Sequence, residues 1–495
     1  MKHIATIILT ALLSLSALAS SPKREFRGAW LQIVGNTSFS GMSSSEVQDY
    51  LCATLDSLVI AGCNAVFFQV RPEADACYPS PLEPWTRYLT GVQGKAPEPF
   101  WDPLQFMIEQ CHSRRLELHA WLNPYRVTVK EGEQLSEGHI FFERPELFVK
   151  YGDQQYFNPG EPESREHILA VIKDIVSRYD VDGIHFDDYF YPYPIKGKDF
   201  DDAATFRKYA AAQGFSKEQK GDWRRNNVST LIAEVNAAVK EIKPWVRFGV
   251  SPFGIHRNIS EDPDGSLTNG LSGYSELYAD TPLWAREGYV DYLAPQLYWK
   301  IGHRAADYET LANWWSEQEL PGHLYLGQSI ETFSEKDLQN PSTTQMRRKM
   351  EISRELSGIQ GNVWWPGWSI SENVCNIKDS LSIVYQKYPA FLPAYVDIDG
   401  VAPERVEAWL SHTSGQVRWI TGPEDDPMQE AMYFAVYRFE ADEKADISKI
   451  EKLYLLTKET SFKPEPADLE AHRRFVITVL DRCWNESEPS ECIQL

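Results

Sequence analysis

The residues with the clearest chemical potential lie in the segment Asp182–Pro192, which reads DGIHFDDYFYP. Its adjacent Asp187 and Asp188 bring two carboxyl groups together, and such neighbours raise one another's pKa, so that one stays protonated as an acid. Hydrolysis of a glycosidic bond usually needs two carboxyl groups, one to protonate the leaving oxygen and one to attack or to activate water. We therefore predict a catalytic role for Asp187 and Asp188. The structural alternatives are a helix cap or a salt bridge to Arg71 or Arg126.

A more distant carboxylate would complete such a pair, and two positions offer one. Glu331 ends the seventh predicted strand and Glu73 follows the second. We predict Glu331 as the third catalytic residue and place Glu73 in the substrate-binding set, although Glu331 could simply lead into a helix. His185 is interpreted as a hydrogen-bonded core histidine. No HxxxH, CxxC or paired His–carboxylate spacing indicates a metal, so we predict neither a metal site nor a cofactor.

These residues belong to a regular alternation of apolar runs and helical patterns. The predicted strands are Gly28–Val34, Ala65–Arg71, Leu116–Asn123, Gly183–Asp188, Arg247–Phe253, Tyr292–Trp299, Leu324–Ile330 and Asn362–Trp368. The 3.6-residue period predicts helices that include Ser44–Ala61, Arg165–Tyr179, Val228–Ile242 and Thr344–Ser357. Strand–helix alternation predicts a parallel sheet, and eight repeats predict an α/β fold of the closed (β/α)₈ TIM-barrel type. A doubly wound open sheet is the alternative.

Side chains alternate along a strand, so one parity faces the barrel axis and the other faces the helices. Because the helix-facing set must be apolar, His185 and Asp187 are predicted to point inward. The same rule gives an inward set that becomes polar toward the carboxyl ends of the strands: Gln32, Arg71, Asn123, Asp187, Gln296, Ser329 and Glu331. Barrel enzymes work at that end. The polar set therefore predicts a site there, and a self-satisfied polar plug is the alternative.

Aromatic side chains also concentrate near the predicted strand ends, where flat sugar faces could stack on them. They are Trp30, Tyr125, Tyr189, Tyr191, Tyr193, Tyr298, Trp299, Trp364, Trp365 and Trp368. Core packing is expected to occupy part of this set. The predicted substrate-binding residues are Trp30, Gln32, Arg71, Glu73, Asn123, Tyr125, Arg126, Tyr189, Gln296, Tyr298, Trp299 and Trp364. Arg71 and Arg126 could pair with a sugar carboxylate or could orient the aspartate pair.

The two ends of the chain have their own character. Met1–His3 followed by the apolar run Ile4–Ala19 is typical of a signal peptide, so we predict export to the periplasm or the cell exterior, without distinguishing them. Beyond Pro389, short strands are typical of an immunoglobulin-like β-sandwich. They are predicted at Val406–Leu410, Gln416–Ile420, Tyr433–Phe439, Lys452–Thr457 and Phe475–Leu480. Cys483 and Cys492 are close enough in sequence to form a disulfide.

Composition limits the partners of this chain. The formal net charge of −22 disfavours nucleic acid and anionic membranes, but it is compatible with a neutral glycan. After the N-terminal run, no segment is long and apolar enough to span a bilayer. We therefore predict a glycan substrate, no nucleic acid and no membrane-spanning segment. The sequence leaves the oligomeric state open.

Several segments taken together resemble the glycosyl hydrolase-like family 10. They are RGAW at 27–30, QVRP at 69–72, WLNPYR at 121–126, residues 182–192, GVSPFG at 249–254, DYLAPQLYW at 291–299 and GQS at 327–329. The resemblance implies a barrel hydrolase of bacterial envelopes, with peptidoglycan strands as the first substrate expectation. Residues 433–438 and 476–487 resemble strands of a fibronectin type III domain. The expected division is therefore 1–19, signal peptide; 22–390, barrel; and 395–495, fibronectin type III-like domain.

The fourth predicted strand also partly resembles the chitinase-type signature DxxDxDxE. His185 replaces the second Asp of that signature and Tyr189 occupies the Glu position, so its mechanism does not transfer intact. A related hypothesis remains, in which Asp187 orients a substrate 2-acetamido group while Asp188 acts as the acid. Two other functions stay open, namely a hydrolase of dietary or host polysaccharide and a non-catalytic glycan-binding protein.

Overall fold

The computed structural model describes residues 21–36, 38–130, 132–333, 345–422 and 424–495, which form two compact units. One unit is Arg27–Ser380, and the other combines the described residues up to Phe26 with Leu381–Leu495. The predicted signal peptide, 1–19, lies outside the described residues. No helix in the described part of the chain is long and apolar enough to cross a membrane.

Eight parallel strands close into a barrel, which confirms the predicted (β/α)₈ fold. They are β1 (Phe26–Leu31), β2 (Ala65–Arg71), β3 (Glu117–Leu122), β6 (Gly183–Phe186), β7 (Arg247–Val250), β8 (Tyr292–Leu293), β9 (His323–Ser329) and β10 (Gly361–Trp365). Their order around the barrel is β1-β10-β9-β8-β7-β6-β3-β2. Between β3 and β6 the chain also forms an antiparallel hairpin that the sequence did not predict, β4 (Phe148–Tyr151) with β5 (Gln154–Phe157).

Helices connect the barrel strands. They are α1 (Ser44–Ile60), α2 (Arg87–Thr90), α3 (Pro103–Ser113), α4 (Ile140–Glu143), α5 (Pro162–Arg178), α6 (Ala203–Tyr209), α7 (Lys220–Ile242), α8 (Gly273–Glu276), α9 (Thr281–Arg286), α10 (Tyr308–Glu317), α11 (Gln345–Glu355), α12 (Trp368–Ser371) and α13 (Ile377–Ser380). Helix α1 shows why the 3.6-residue hydrophobic period predicts these helices. It begins at a capping box between Ser43 and Glu46, and its buried Val47, Leu51 and Leu55 recur every four residues on one face.

Several barrel strands are shorter than predicted, among them β7 and β8. Strand β7 ends at Val250 rather than Phe253, and β8 ends at Leu293 rather than Trp299. Pro252 and Pro295 follow these ends, and a proline cannot donate to a strand ladder. Pairing continues only as isolated bridges, one of which joins Phe253 to Gln296. The segments beyond these prolines are therefore free to turn their side chains into the barrel mouth.

The barrel axis is filled by a polar network below the mouth. Glu117 and Arg247 form a buried ion pair. Above them the Tyr292 hydroxyl lies 2.9 Å from His119 Nδ1 and 3.0 Å from His185 Nδ1. Burial lowers the pKa of both imidazoles, His119 to about 4, so both are neutral at physiological pH. These partners agree with the interpretation of His185 as a hydrogen-bonded core histidine.

The second unit is all-β, as predicted. One sheet has the order β11-β12-β15 and the other β14-β13-β16-β17. The strands are β11 (Glu407–Ser411), β12 (Gln416–Ile420), β13 (Tyr433–Phe439), β14 (Leu453–Thr457), β15 (Ser461–Phe462), β16 (Arg474–Leu480) and β17 (Ile493–Gln494), and Pro466–Glu470 forms a short helix, α14. Trp419 of the first sheet shares a buried core with Val436 and Ile477 of the second. The possible disulfide is not formed, because Cys483 and Cys492 are both free thiols.

Candidate active site

A cavity of about 310 Å³ opens where the barrel strands end. Its walls are largely aromatic, and its polar groups converge on one side. The lining residues are Trp30, Trp121, Asp187, Asp188, Tyr189, Tyr193, Ser251, Phe253, Gln296, Tyr298, Trp299 and Trp365. Concave, mostly apolar sites with a few placed polar groups are typical ligand sites, and this end of a barrel is where barrel enzymes work.

Asp187 follows the last residue of β6 and is held by side chains of the neighbouring strand β3. Asn123 Nδ2 donates to its Oδ1 at 2.7 Å, and Trp121 Nε1 donates to its Oδ2 at 3.1 Å. Burial raises the pKa of Asp187, whereas the charge of Arg126 and the two donors oppose that rise. The donors fix the direction in which the carboxylate faces and favour its charged form.

Asp188, the next residue, is held by a different set of partners. Gln296 Nε2 donates to its Oδ1 at 3.1 Å, and the Tyr193 hydroxyl donates to its Oδ2. Burial and the neighbouring charge of Asp187 raise the pKa of Asp188 to about 7, against the effect of the two donors. A carboxyl group with such a pKa keeps a proton to donate at neutral pH, which is the requirement for a general acid.

The two aspartates therefore differ in their protonation state at neutral pH. Both are buried and adjacent, so ionising both at once is costly. Arg126 and the donors from β3 favour the charge on Asp187, and the proton is left on Asp188. Environments that push two neighbouring pKa values apart are the usual sign of an acid and its charged partner.

We expect the substitution Gln296→Leu to shift the alkaline limb of the pH profile. The amide of Gln296 favours the charged form of Asp188, so its loss raises the pKa of that acid. An acid is active while protonated, so kcat/KM should fall at a higher pH than in the wild type, by up to about one unit for one lost hydrogen bond. Initial rates measured across pH check this, with Gln416→Leu in the second unit as control. An unmoved limb would mean that Asp188 does not set it.

A stability measurement tests the same acid without substrate. Because the folded-state pKa of Asp188, about 7, lies above its ordinary 3.8, the protein loses stability as pH rises from the lower value to the higher. Asp188→Asn removes that cost. Above about pH 7 we expect the variant to unfold at a higher temperature than the wild type, with a free energy of unfolding larger by at most about 4 kcal/mol. Below about pH 4 the two proteins should be equally stable. Thermal melts at both pH values check this, and equal melts at high pH would contradict it.

Comparison with known proteins identifies the family. The model of the family described as glycosyl hydrolase-like 10 matches residues 25–344. The chain belongs to this family. It is 38% identical to the glycosyl hydrolase YngK of Bacillus subtilis (strain 168), across 99% of this chain and 97% of the relative. It is 37% identical to the glycosyl hydrolase DigH of Escherichia coli (strain K12), across 70% of this chain and 84% of the relative.

The fold of the chain is similar to solved structures of glycoside hydrolases. The glycoside hydrolase domain of PgaB from Bordetella bronchiseptica superposes with a TM-score of 0.49 at 14% identity, covering 73% of this chain and 99% of that domain. The family membership makes this glycosyl hydrolase-like 10 protein an enzyme of the glycoside hydrolase class, and its substrate is a glycan.

The structure brings many of the predicted site residues of this glycosyl hydrolase-like 10 enzyme together. Asp187 and Asp188 lie in the cavity, and so do the predicted substrate-binding residues Trp30, Tyr189, Gln296, Tyr298 and Trp299. Two other predicted substrate-binding residues contact side chains that line the cavity. Asn123 donates to Asp187, and the guanidinium of Arg126 lies 5.4 Å from the ring centroid of Tyr189. Arg126 Nε donates to the Pro72 backbone oxygen at 2.9 Å, and its charge lowers the pKa of Asp187.

Arg71 and Glu73, both predicted to bind substrate, are paired with other side chains of the protein. Arg71 is fully buried and forms two hydrogen bonds with Glu83, at 2.8 and 2.6 Å, and it does not line the cavity. Glu73 is also fully buried, accepts from Tyr88 and lies 3.2 Å from Arg87. Burial and Asp75 raise the pKa of Glu73 to about 8. Both side chains belong to ion-pair clusters behind the cavity wall.

The remaining predicted residues do not line the cavity. Tyr125 and Trp364 are almost fully buried and are not among the lining side chains. Gln32 contributes its backbone oxygen to Trp368 Nε1 at 2.9 Å. Glu331 lies in a 3₁₀ turn after β9 and is exposed to solvent, so the structure does not place it beside the aspartate pair.

Five lining residues were missed as site residues: Trp121, Tyr193, Ser251, Phe253 and Trp365. Parity did place Trp121 inside the barrel, and Tyr193 and Trp365 were in the aromatic set, so a usable signal existed for these three. Ser251 and Phe253 follow the early end of β7, where no strand parity applies. Among the described residues, no three His, Cys, Asp or Glu side chains are grouped to hold a metal ion.

Proposed function

We propose that this enzyme is exported and cleaves the glycan strands of bacterial peptidoglycan, with Asp188 as general acid and Asp187 as the partner of the substrate's 2-acetamido group. The observation that carries the proposal is the pair itself, two buried adjacent carboxyl groups held by separate donors in one aromatic cavity. The acid has a pKa of about 7 and its neighbour is favoured as the charged partner.

The absence of a distant carboxylate supports assistance by the substrate. Among the described residues that line the cavity, Asp187 and Asp188 are the carboxylates, and neither Glu73 nor Glu331 joins them. A mechanism with two separated carboxyl groups needs a second one across the scissile bond. A 2-acetamido sugar carries its own nucleophile, the acetamido oxygen. Such a substrate needs from the protein only an acid and a group that orients the acetamido N–H.

Hydrolysis would proceed in two stages, first cleavage of the glycosidic bond and then attack by water. Asp188 gives its proton to the glycosidic oxygen as the bond to C1 breaks. The acetamido oxygen then bonds to C1, while Asp187 accepts a hydrogen bond from the acetamido N–H and stabilises the developing positive charge. Water next attacks C1 and releases the acetamido oxygen. Asp188 takes the proton of that water and returns to its starting state, and the anomeric configuration is retained.

The walls of the cavity support a sugar substrate. The rings of Trp30, Trp121, Tyr298, Trp299 and Trp365 offer flat apolar faces around the aspartates. Trp30 Nε1 lies 3.1 Å from His185 Nε2, which Ser251 Oγ approaches to the same distance. Because this histidine is neutral, its Nε2 can accept from the indole N–H of Trp30 and hold that wall in place. A held wall positions a ring without paying for its ordering on binding.

The assignment of substrate and domains is part of the same proposal. Peptidoglycan follows from the resemblance of the sequence segments, and export follows from residues 1–19. We further propose that 22–390 form the catalytic barrel domain and 395–495 a fibronectin type III-like spacer or docking module. The two-sheet core of the second unit supports that last assignment.

A substrate panel tests the proposal. Purified peptidoglycan strands with and without stem peptides should release reducing ends, whereas soluble polysaccharides built of 2-hydroxy sugars should not. Equal turnover of substrates that lack the acetamido group would contradict the substrate-assisted mechanism. Activity on dietary or host polysaccharides alone would indicate the alternative hydrolase, and binding without release would indicate a glycan-binding protein.

A further inference from the structure

A second and larger cavity, of about 650 Å³, opens on the barrel unit. It shares no lining residue with the candidate active site. Three segments form it: the loop after β7, helix α9 with the preceding Asp280, and the carboxyl end of α10. The catalytic scheme above uses none of these side chains.

Trp314 of α10 forms a prepared platform in this cavity. Its ring stacks on His256, with centroids 5.8 Å apart and planes inclined by 24°. Its Nε1 donates to the backbone oxygen of Asp264 at 2.8 Å, and Trp315 packs against it edge to face. Trp315 Nε1 in turn donates a hydrogen bond to the backbone oxygen of Gly254 at 2.9 Å. The half-buried indole is therefore held in one orientation, so a ligand that stacks on it need not order it.

The polar groups of this cavity fit a neutral ligand. The charged lining residues are Arg257, Arg286, Asp262, Asp264, Asp280 and Glu317. Arg257 is already paired with Asp262 and lies over the Tyr274 ring at 3.5 Å. Because carboxylates outnumber guanidinium groups, an anionic ligand is disfavoured. Sugar hydroxyls both donate and accept, so a neutral sugar ring can satisfy both kinds of group.

We propose that this cavity is an auxiliary glycan-binding site, which takes a neutral sugar ring against Trp314 and holds the polymer while the aspartate pair acts elsewhere. The class of ligand rests on the proposed function. The loop that brings Ser251 and Phe253 to the active-site cavity continues to His256 and Arg257 in this second cavity. One loop therefore contributes to both sites.

Binding of N-acetylglucosamine tetrasaccharide to the full-length Asp188→Asn protein, measured by calorimetry, tests the proposal. We expect two binding events, of which Trp314→Ala weakens one by about tenfold or more. Arg286→Ala, at the exposed rim, should weaken the same event and is decisive if the tryptophan variant fails to fold. Trp409→Ala, an exposed tryptophan of the second unit, is the matched control and should leave both events unchanged.

The outcomes separate this proposal from the catalytic one. A single binding event, or two that neither Trp314→Ala nor Arg286→Ala alters, would overturn the auxiliary site. In the active enzyme, both variants should keep the turnover of a short substrate and lose retention on insoluble strands. A wild type that binds but releases no reducing ends would instead refute the proposed function and leave the binding result intact.

Discussion

Asparagine in place of Asp188 is expected to lower kcat on an unactivated glycan by about a thousandfold, within the usual contribution of a general acid. The buried group holds its proton near neutral pH because burial and the charge of Asp187 disfavour ionisation. Asparagine keeps the shape and can still accept from Gln296, but it cannot give a proton to the leaving oxygen. Initial rates on purified glycan strands measure the loss.

The nature of the leaving group makes this expectation specific. The phenolate of a 2,4-dinitrophenyl glycoside of N-acetylglucosamine departs without protonation. The first turnover of Asp188→Asn, before water attacks C1, should therefore release it at close to the wild-type rate. Asp201→Asn, at an exposed position of the same unit, is the matched control. An equal loss on the activated and the natural substrate would show that Asp188 is not the acid.

The substitution Asp187→Asn is the second large effect, and its pattern should differ. Asp187 is held by Asn123 and Trp121 so that its charge faces the cavity, where it orients and stabilises the acetamido group. Removing one aimed electrostatic partner of a transition state commonly costs 10²- to 10³-fold in kcat, and we expect a loss of about that size. Because this role does not depend on the leaving group, the activated glycoside should suffer as much as the natural strand.

The two variants together therefore assign the roles. Rescue of Asp187→Asn by the activated leaving group would make Asp187 the acid and reverse the assignment. Unchanged rates would remove it from the chemistry. Kinetics should be read as kcat and KM separately, because a loss confined to KM would indicate a binding role rather than stabilisation of the transition state.

The barrel could be predicted because its signals are local. Strand β2 and helix α1 follow from apolar periodicity and a capping box, and the sequence bounds differ from the observed ones by a residue at most. The inward direction of His185 and Asp187 follows from alternation on a strand buried on both faces. The adjacent carboxylates could be singled out because they directly follow that strand.

The rest of the site depends on partners that are distant in sequence. A register shift between Gln69 and Arg71 pairs Arg71 with Leu122 of β3, and Arg71 forms a buried ion pair with Glu83. Neither the shift nor that ion pair can be recognised from residue spacing in the sequence. Strand β9 ends at Ser329, and Glu331 lies in the 3₁₀ segment that follows, where it is exposed to solvent. Ser251 and Phe253 reach the cavity because a proline ends β7 early, after which alternation no longer tells which way a side chain points.

The decisive measurement is the release of reducing ends from purified peptidoglycan glycan strands by the wild type, Asp187→Asn and Asp188→Asn. We expect release by the wild type and its loss in both variants, with all three proteins equally folded. Release that persists in both variants would contradict the placement of the chemistry on the aspartate pair. No release by the wild type from any strand would contradict the cell-wall substrate.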